Sequence, residues 1–118
     1  MAFDLQLPEG CPGADAREYE GTVFRVVKTD PPTAADLQTY LELGLLPKAN
    51  LCKRGSVSLY STAIEAQQLA ELRPYIGEFV ASISLTPAHG KVGGPSASGH
   101  IDWWPYAGMR NPADLTVI

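Results

Sequence analysis

Hydrophobic and polar positions alternate along several short segments of this chain, and this pattern predicts strands. Residues 22–27 are β-branched or aromatic apart from Arg25, which predicts a strand buried on both faces. Residues 55–61 alternate small polar with apolar side chains, and in residues 78–85 the apolar side chains share one face. Two shorter strands are predicted later in the chain, over 100–104 and 115–118.

Two other segments have apolar residues spaced three and four positions apart, which is the period of a helix. The first covers residues 34–43, where Thr33 is in position to act as the N-cap. The second covers residues 63–73, where Thr62 and Glu65 have the spacing of a capping box. The sequence therefore predicts two short helices, one between the first two strands and one after the second strand.

The order of these elements predicts the fold class. The last strands follow one another without helices between them, which favours an α+β fold with a mixed or mostly antiparallel sheet. With 118 residues, the chain has the length of one small domain, residues 1–118. Residues 1–19 are expected to form an irregular N-terminal arm. Residues 87–99, rich in Gly, Pro and Ser, are expected to form a flexible loop.

Charge and composition exclude several classes of function. The net charge of −4 provides no basic footprint for nucleic acid, so no nucleic-acid partner is expected. We find no leader-like start and no apolar run long enough for a membrane span, so a cytoplasmic protein with reduced thiols is expected. The sequence leaves open whether Cys11 and Cys52 pair. Two cysteines do not make a zinc site, and neither a metal nor a cofactor is expected.

The most distinctive segment is 100–106, which contains both tryptophans of the chain. The alternation of a strand places His100, Asp102 and Trp104 on one face, and Ile101 and Trp103 on the other. We expect the second pair to enter the core and Trp104 to lie near solvent or a ligand. Together with Tyr106 and the 87–99 loop, this segment predicts a small, soluble, bacterial-type binding module. It would be non-enzymatic and would take a protein partner or a small ligand.

Polar residues within the predicted strands allow a second interpretation. His100 and Asp102 provide a base with an orienting carboxylate, a fragment of a metal site, or simply structural hydrogen bonds. Arg25 needs a partner, which is either a carboxylate such as Asp102 or Glu78 or an anionic ligand.

Hydroxyl side chains are concentrated where the second strand runs into the second helix. Ser58 and Ser61 lie there, where a hydroxyl either binds phosphate with the backbone amides or caps the helix. We find neither a nucleophile elbow nor a phosphate-binding glycine motif in the sequence.

The order of Arg25 on one strand, a Ser-rich strand leading into a helix, and a third strand resembles the core of ADP-ribosyltransferase-like domains. The resemblance covers about residues 20–92. It implies that Arg25 and Ser58 or Ser61 contact a nicotinamide dinucleotide and that a later glutamate serves catalysis. The chain has no glutamate after Glu78. The resemblance therefore implies a divergent enzyme or a nucleotide-binding domain that also uses His100 and Asp102.

Overall fold

The computed structural model describes residues 2–118, and its strands form one antiparallel sheet. The strands are β1 (Arg17–Glu18), β2 (Gly21–Val27), β3 (Val57–Tyr60), β4 (Phe79–Leu85), β5 (Gly90–Gly93), β6 (His100–Pro105) and β7 (Thr116–Val117). Within residues 2–118, the spatial order of these seven strands is β1-β5-β6-β3-β2-β4-β7. The α-helices in this part of the chain are α1 (Tyr40–Leu43), α2 (Leu51–Arg54) and α3 (Ala63–Leu72). The predicted α+β class and antiparallel sheet are confirmed.

The single helix predicted over residues 34–43 is wrong. The chain forms a 3-10 turn at Ala34–Leu37 and then α1, with Gln38 extended between them at φ −71° and ψ 144°. The break lies at a second N-cap, where the Thr39 hydroxyl accepts from the Glu42 amide at 3.2 Å and the Glu42 carboxylate accepts from the Thr39 amide at 2.9 Å. The Asp36 carboxylate accepts from the backbone amides of Lys28 and Thr33 at 2.8 and 2.9 Å, which fixes the 3-10 turn against the end of β2.

The flexible loop predicted over residues 87–99 is also wrong for much of its length. Residues Pro87–His89 form a 3-10 turn, and the next four residues are β5, which pairs with β6 and β1. Gly90 is required there, because it has φ 140° and a Cβ would collide with the carbonyl oxygen of Trp104. Residues 94–99 make the turn into β6, closed by a 2.9 Å hydrogen bond from the Ser96 amide to the His100 carbonyl.

The N-terminal arm is mostly irregular, as expected, although Met1 lies outside the described residues. Phe3 forms an isolated bridge with Tyr106, and β1 lies within the segment expected to be irregular. A disulfide joins Cys11 in this arm to Cys52 in α2, so the expectation of reduced thiols is wrong. The predicted closing strand is observed as β7, which pairs with β4.

The two faces of the sheet are covered differently. One face carries the main core, which includes Trp103 and Ile101 as predicted. On the other face, α3 packs Ala66 against Val26 and Val80 of β2 and β4. No helix within residues 2–118 is both long enough and apolar enough to span a bilayer. The part of the second face formed by β3 and β6 carries polar side chains and contains the candidate site.

Candidate functional site

The pairing of β3 with β6 brings the polar residues of the two strands together. In the antiparallel register Ser58 lies opposite Asp102, and Tyr60 lies opposite His100. Residues paired in this way, and those two positions apart, share one face of a sheet. Ser58, His100 and Asp102 therefore form one cluster, which we call the β3–β6 site.

The atoms of the β3–β6 site are arranged as a hydroxyl, a base and a carboxylate. Nε2 of His100 lies 3.0 Å from Oγ of Ser58, which is hydrogen-bonding distance. Nδ1 of His100 lies 4.0 Å from Oδ1 of Asp102, so the carboxylate acts on the ring through its charge rather than by a direct hydrogen bond. This is the order of groups that activates a serine hydroxyl in enzymes.

The site is open to outside molecules at the histidine. About a third of the His100 side chain is exposed, at 31%, whereas that of Asp102 is exposed at 12%. The ring of Tyr60 lies 5.6 Å from the His100 ring in an edge-on arrangement. Desolvation raises the pKa of Tyr60 above its ordinary value of 10.0, so its hydroxyl stays protonated at neutral pH.

Asp102 is held by two residues from the segment that precedes β3. Ser56, which is buried, has its Oγ 2.9 Å from Oδ1 of Asp102 and 2.7 Å from the carbonyl oxygen of Lys53. Its single hydroxyl proton serves only one of these two acceptors at a time. The ammonium group of Lys53 lies 3.9 Å from Oδ2 of Asp102 and is mostly exposed. Neither Ser56 nor Lys53 was predicted as a site residue, since only the register of β3 and the path of α2 bring them to Asp102.

Arg25 pairs with backbone carbonyl groups and not with a carboxylate. Its guanidinium donates from Nη1 to the carbonyl oxygen of Ser58 at 2.6 Å and from Nε to the carbonyl oxygen of Asp36. The prediction of Asp102 or Glu78 as its partner is therefore wrong. Desolvation lowers the pKa of Arg25, while nearby groups, including the Asp36 carboxylate, partly oppose the shift. The side chain therefore joins β2 to β3. These two strands pair at Phe24 and Tyr60.

Ser61 belongs to the start of α3 and not to the β3–β6 site. Its Oγ donates to the Glu65 carboxylate at 3.0 Å, and its amide donates to the carbonyl oxygen of Gly99. Thr62 is the N-cap and accepts from the Glu65 amide at 3.2 Å, as predicted, but the Glu65 carboxylate accepts from the hydroxyls of Ser61 and Thr62, so only half of the predicted capping box is formed. Of the two candidate serines, only Ser58 contacts His100.

The aromatic side chains expected at the surface are buried. Trp104 is 6% exposed, and its indole N–H donates to the carbonyl oxygen of Cys52 at 2.9 Å. The prediction that Trp104 lies near solvent is therefore wrong, because α2 lies over it. Tyr106 is 4% exposed, and its hydroxyl donates to the Glu18 carboxylate at 2.9 Å. The rings of these residues are out of a partner's reach.

The described residues offer no cluster of metal-ligating side chains. Within residues 2–118, no three His, Cys, Asp or Glu side chains are placed to hold an ion together. The second histidine, His89, lies apart from the site and faces Asp114, with Nε2 3.7 Å from Oδ2.

Comparisons with known proteins identify no relative. No family model matches the sequence, and no significant match was found among curated proteins or solved structures.

Proposed function

We propose that the β3–β6 site is a nucleophilic site that hydrolyses a small ester, with Ser58 as the nucleophile and His100 as the general base. The observation that carries this proposal is the 3.0 Å contact between Oγ of Ser58 and Nε2 of His100. A hydroxyl is a weak nucleophile until a base within hydrogen-bonding reach accepts its proton. His100 has that reach and is also accessible from outside.

The reaction follows from these positions. Oγ of Ser58 attacks the ester carbonyl carbon, and its proton passes to Nε2 of His100. His100 then returns this proton to the leaving alcohol as the carbon–oxygen bond breaks, which leaves an acyl group on Ser58. A water molecule gives a proton to His100 and attacks the acyl group, and the carboxylic acid leaves as Ser58 regains its proton.

Asp102 supports the positive charge that His100 acquires during both steps. Its carboxylate lies on the Nδ1 side of the ring, and Ser56 fixes its position. In ligand-free sites, catalytic contacts are often longer than in the reacting complex, so the 4.0 Å separation is compatible with this role. The His100 tautomer that carries its proton on Nδ1 leaves Nε2 free to accept a hydrogen bond from Ser58.

Hydrolysis of p-nitrophenyl acetate tests the proposal. We expect a saturable rate above the buffer background, reduced on the order of 10²-fold or more in Ser58→Ala and in His100→Gln. Ser84→Ala is the matched control, because Ser84 is an exposed serine on β4 and should leave the rate unchanged. Equal rates in wild type, Ser58→Ala and His100→Gln would reject the site.

A second candidate function is the dinucleotide binding implied by the resemblance to ADP-ribosyltransferase-like domains. The observation that favours it is the contact between Arg25 and the Ser58 carbonyl, which joins two positions that the resemblance assigns to the ligand. Binding of NAD⁺ to the native state would raise the melting temperature, through a stabilisation that grows with the logarithm of 1 + [NAD⁺]/Kd. A rise in wild type that Ser58→Ala abolishes would support this function, and no rise at millimolar NAD⁺ would reject it.

Two expectations from the sequence stay predictions. The first is a non-enzymatic interaction module. Because Trp104 and Tyr106 are buried, its contact surface would consist of His100 and the 94–99 turn. The second is a cytoplasmic location. The disulfide between Cys11 and Cys52 weighs against it, because disulfides persist mainly in oxidising compartments.

A further inference from the structure

The disulfide is connected to the β3–β6 site through α2. The carbonyl of Cys52 accepts from the Trp104 indole, and the next residue, Lys53, faces the Asp102 carboxylate. Ser56, which follows α2, donates to the same carboxylate. The segment 50–56 therefore contacts β6 at three points, two of which are on Asp102 of the β3–β6 site.

Within this segment α2 has little else to hold it, whereas Ser56 is buried next to the start of β3. α2 has only four residues and contains no buried side chain among them. A helix of this length is not stable by itself in water. Leu45, Leu46 and Leu51 are about half exposed, so the surrounding chain adds little apolar burial. The covalent link from Cys52 to Cys11 is therefore a main restraint on α2.

The other end of the disulfide is anchored independently. The amide of Asp4 donates to the Pro105 carbonyl at 2.9 Å, and its carboxylate pairs with Arg110 at 2.6 Å. These contacts keep the N-terminal arm on the sheet whether or not the disulfide is present. Opening the bond would thus release α2 while the arm and the sheet remain in place.

We propose that the Cys11–Cys52 disulfide is a redox switch for the β3–β6 site: its reduction releases α2, and with it the Lys53 ammonium beside Asp102 and the Cys52 carbonyl that accepts from Trp104. A dithiol reductant supplies two electrons and two protons, the sulfur–sulfur bond breaks, and Cys11 and Cys52 become thiols while the reductant becomes a disulfide. Both cysteines are partly exposed, so a small dithiol can reach them. This proposal rests on the proposed function, in which Asp102 supports the positive charge on His100.

The two indole N–H groups report on the switch without any need for activity. Trp104 donates to the Cys52 carbonyl, whereas Trp103 donates to the His89 carbonyl at 3.2 Å, away from α2. In ¹⁵N-labelled protein, Trp104→Phe identifies which indole signal belongs to Trp104. On reduction by dithiothreitol, we expect hydrogen exchange of the Trp104 indole to rise about tenfold or more, with Trp103 unchanged. The double variant Cys11→Ser/Cys52→Ser should match the reduced protein.

Each outcome decides the proposal. Exchange that stays unchanged at both indoles on reduction would overturn it. Exchange that rises equally at both would also overturn it, because the disulfide would then stabilise the whole fold rather than α2. The hydrolysis rate of reduced protein is measured separately. If the oxidised protein shows no Ser58-dependent hydrolysis, the proposed function fails while the indole result still decides whether the disulfide controls α2.

Discussion

Ser56 donates its hydroxyl to the same oxygen of Asp102 that faces His100, at 2.9 Å from Ser56 Oγ and 4.0 Å from His100 Nδ1. The carboxylate is therefore oriented by a buried hydroxyl from outside β3 and β6. This contact is what keeps a largely buried negative charge in a fixed position beside the histidine, and removing it has consequences for both stability and the site.

Ser56→Ala should destabilise the protein by about 1–3 kcal/mol, because it removes a hydrogen bond to a charged and largely buried carboxylate. Urea unfolding followed by tryptophan fluorescence measures the change. Ser98→Ala, in the exposed turn before β6, is the control and should change the free energy of unfolding by less than about 0.5 kcal/mol. A Ser56→Ala value as small as that of the control would show that Ser56 does not hold Asp102.

Arg25→Met should destabilise the protein by about 2–5 kcal/mol, because it leaves the carbonyl oxygens of Ser58 and Asp36 without their donor. The free energy of unfolding from denaturant titration gives this value. Lys48→Met, on an exposed loop, removes the same charge without these contacts and should have little effect. If the two variants lose equal stability, the role of Arg25 in joining β2 to β3 is refuted.

The sequence predicts those parts of the fold that depend on local pattern. The strand at 79–85 and the burial of Trp103 follow from alternation alone, since an extended chain has only two faces. The helix predicted over 34–43 failed because Thr39 and Glu42 form a capping box that starts a separate helix, and this spacing is a local signal that the prediction did not use. β5 was missed because its glycines carry no apolar signal and are there to let another strand approach closely.

The candidate site is likewise only partly predictable from the sequence. Alternation places His100 and Asp102 on one face, and the sequence contains both. Their contact with Ser58 depends on the register of β3 against β6, which is a property of the folded sheet. Lys53 reaches Asp102 only because of the path that α2 takes, so no sequence signal could have found it. For the same reason the burial of Trp104 under α2 was not predicted.

Trp103→Ala should cost about 3–5 kcal/mol, because Trp103 is fully buried in the core and the change leaves a large cavity. Thermal unfolding followed by circular dichroism is a suitable measurement. Ile64→Ala is the matched control, since Ile64 is 65% exposed on α3 and its loss should cost little. A small effect of Trp103→Ala would contradict the assignment of this face of β6 to the core.

The free energy of unfolding should fall in acid, because the ion pair of Glu42 with Arg110 is lost there. The hydrogen bond from Arg110 is the main cause that lowers the pKa of Glu42 below its ordinary value of 4.5. A carboxyl with a lowered folded-state pKa contributes stability that is present above 4.5 and is lost as the pH falls through the folded-state value. Glu42→Gln should therefore flatten the dependence of unfolding free energy on pH below 4.5. Glu71→Gln, on the exposed side of α3, should leave that slope unchanged, and identical slopes in wild type and Glu42→Gln would contradict this assignment.

Covalent labelling of Ser58 tests the central claim most directly. A fluorophosphonate reacts with a serine hydroxyl only when a neighbouring base activates it. Intact-protein mass spectrometry should show one adduct in wild type, peptide mapping should place it on Ser58, and His100→Gln should lose it. An unlabelled wild-type protein, or a label on any serine other than Ser58, would contradict the claim that His100 activates Ser58.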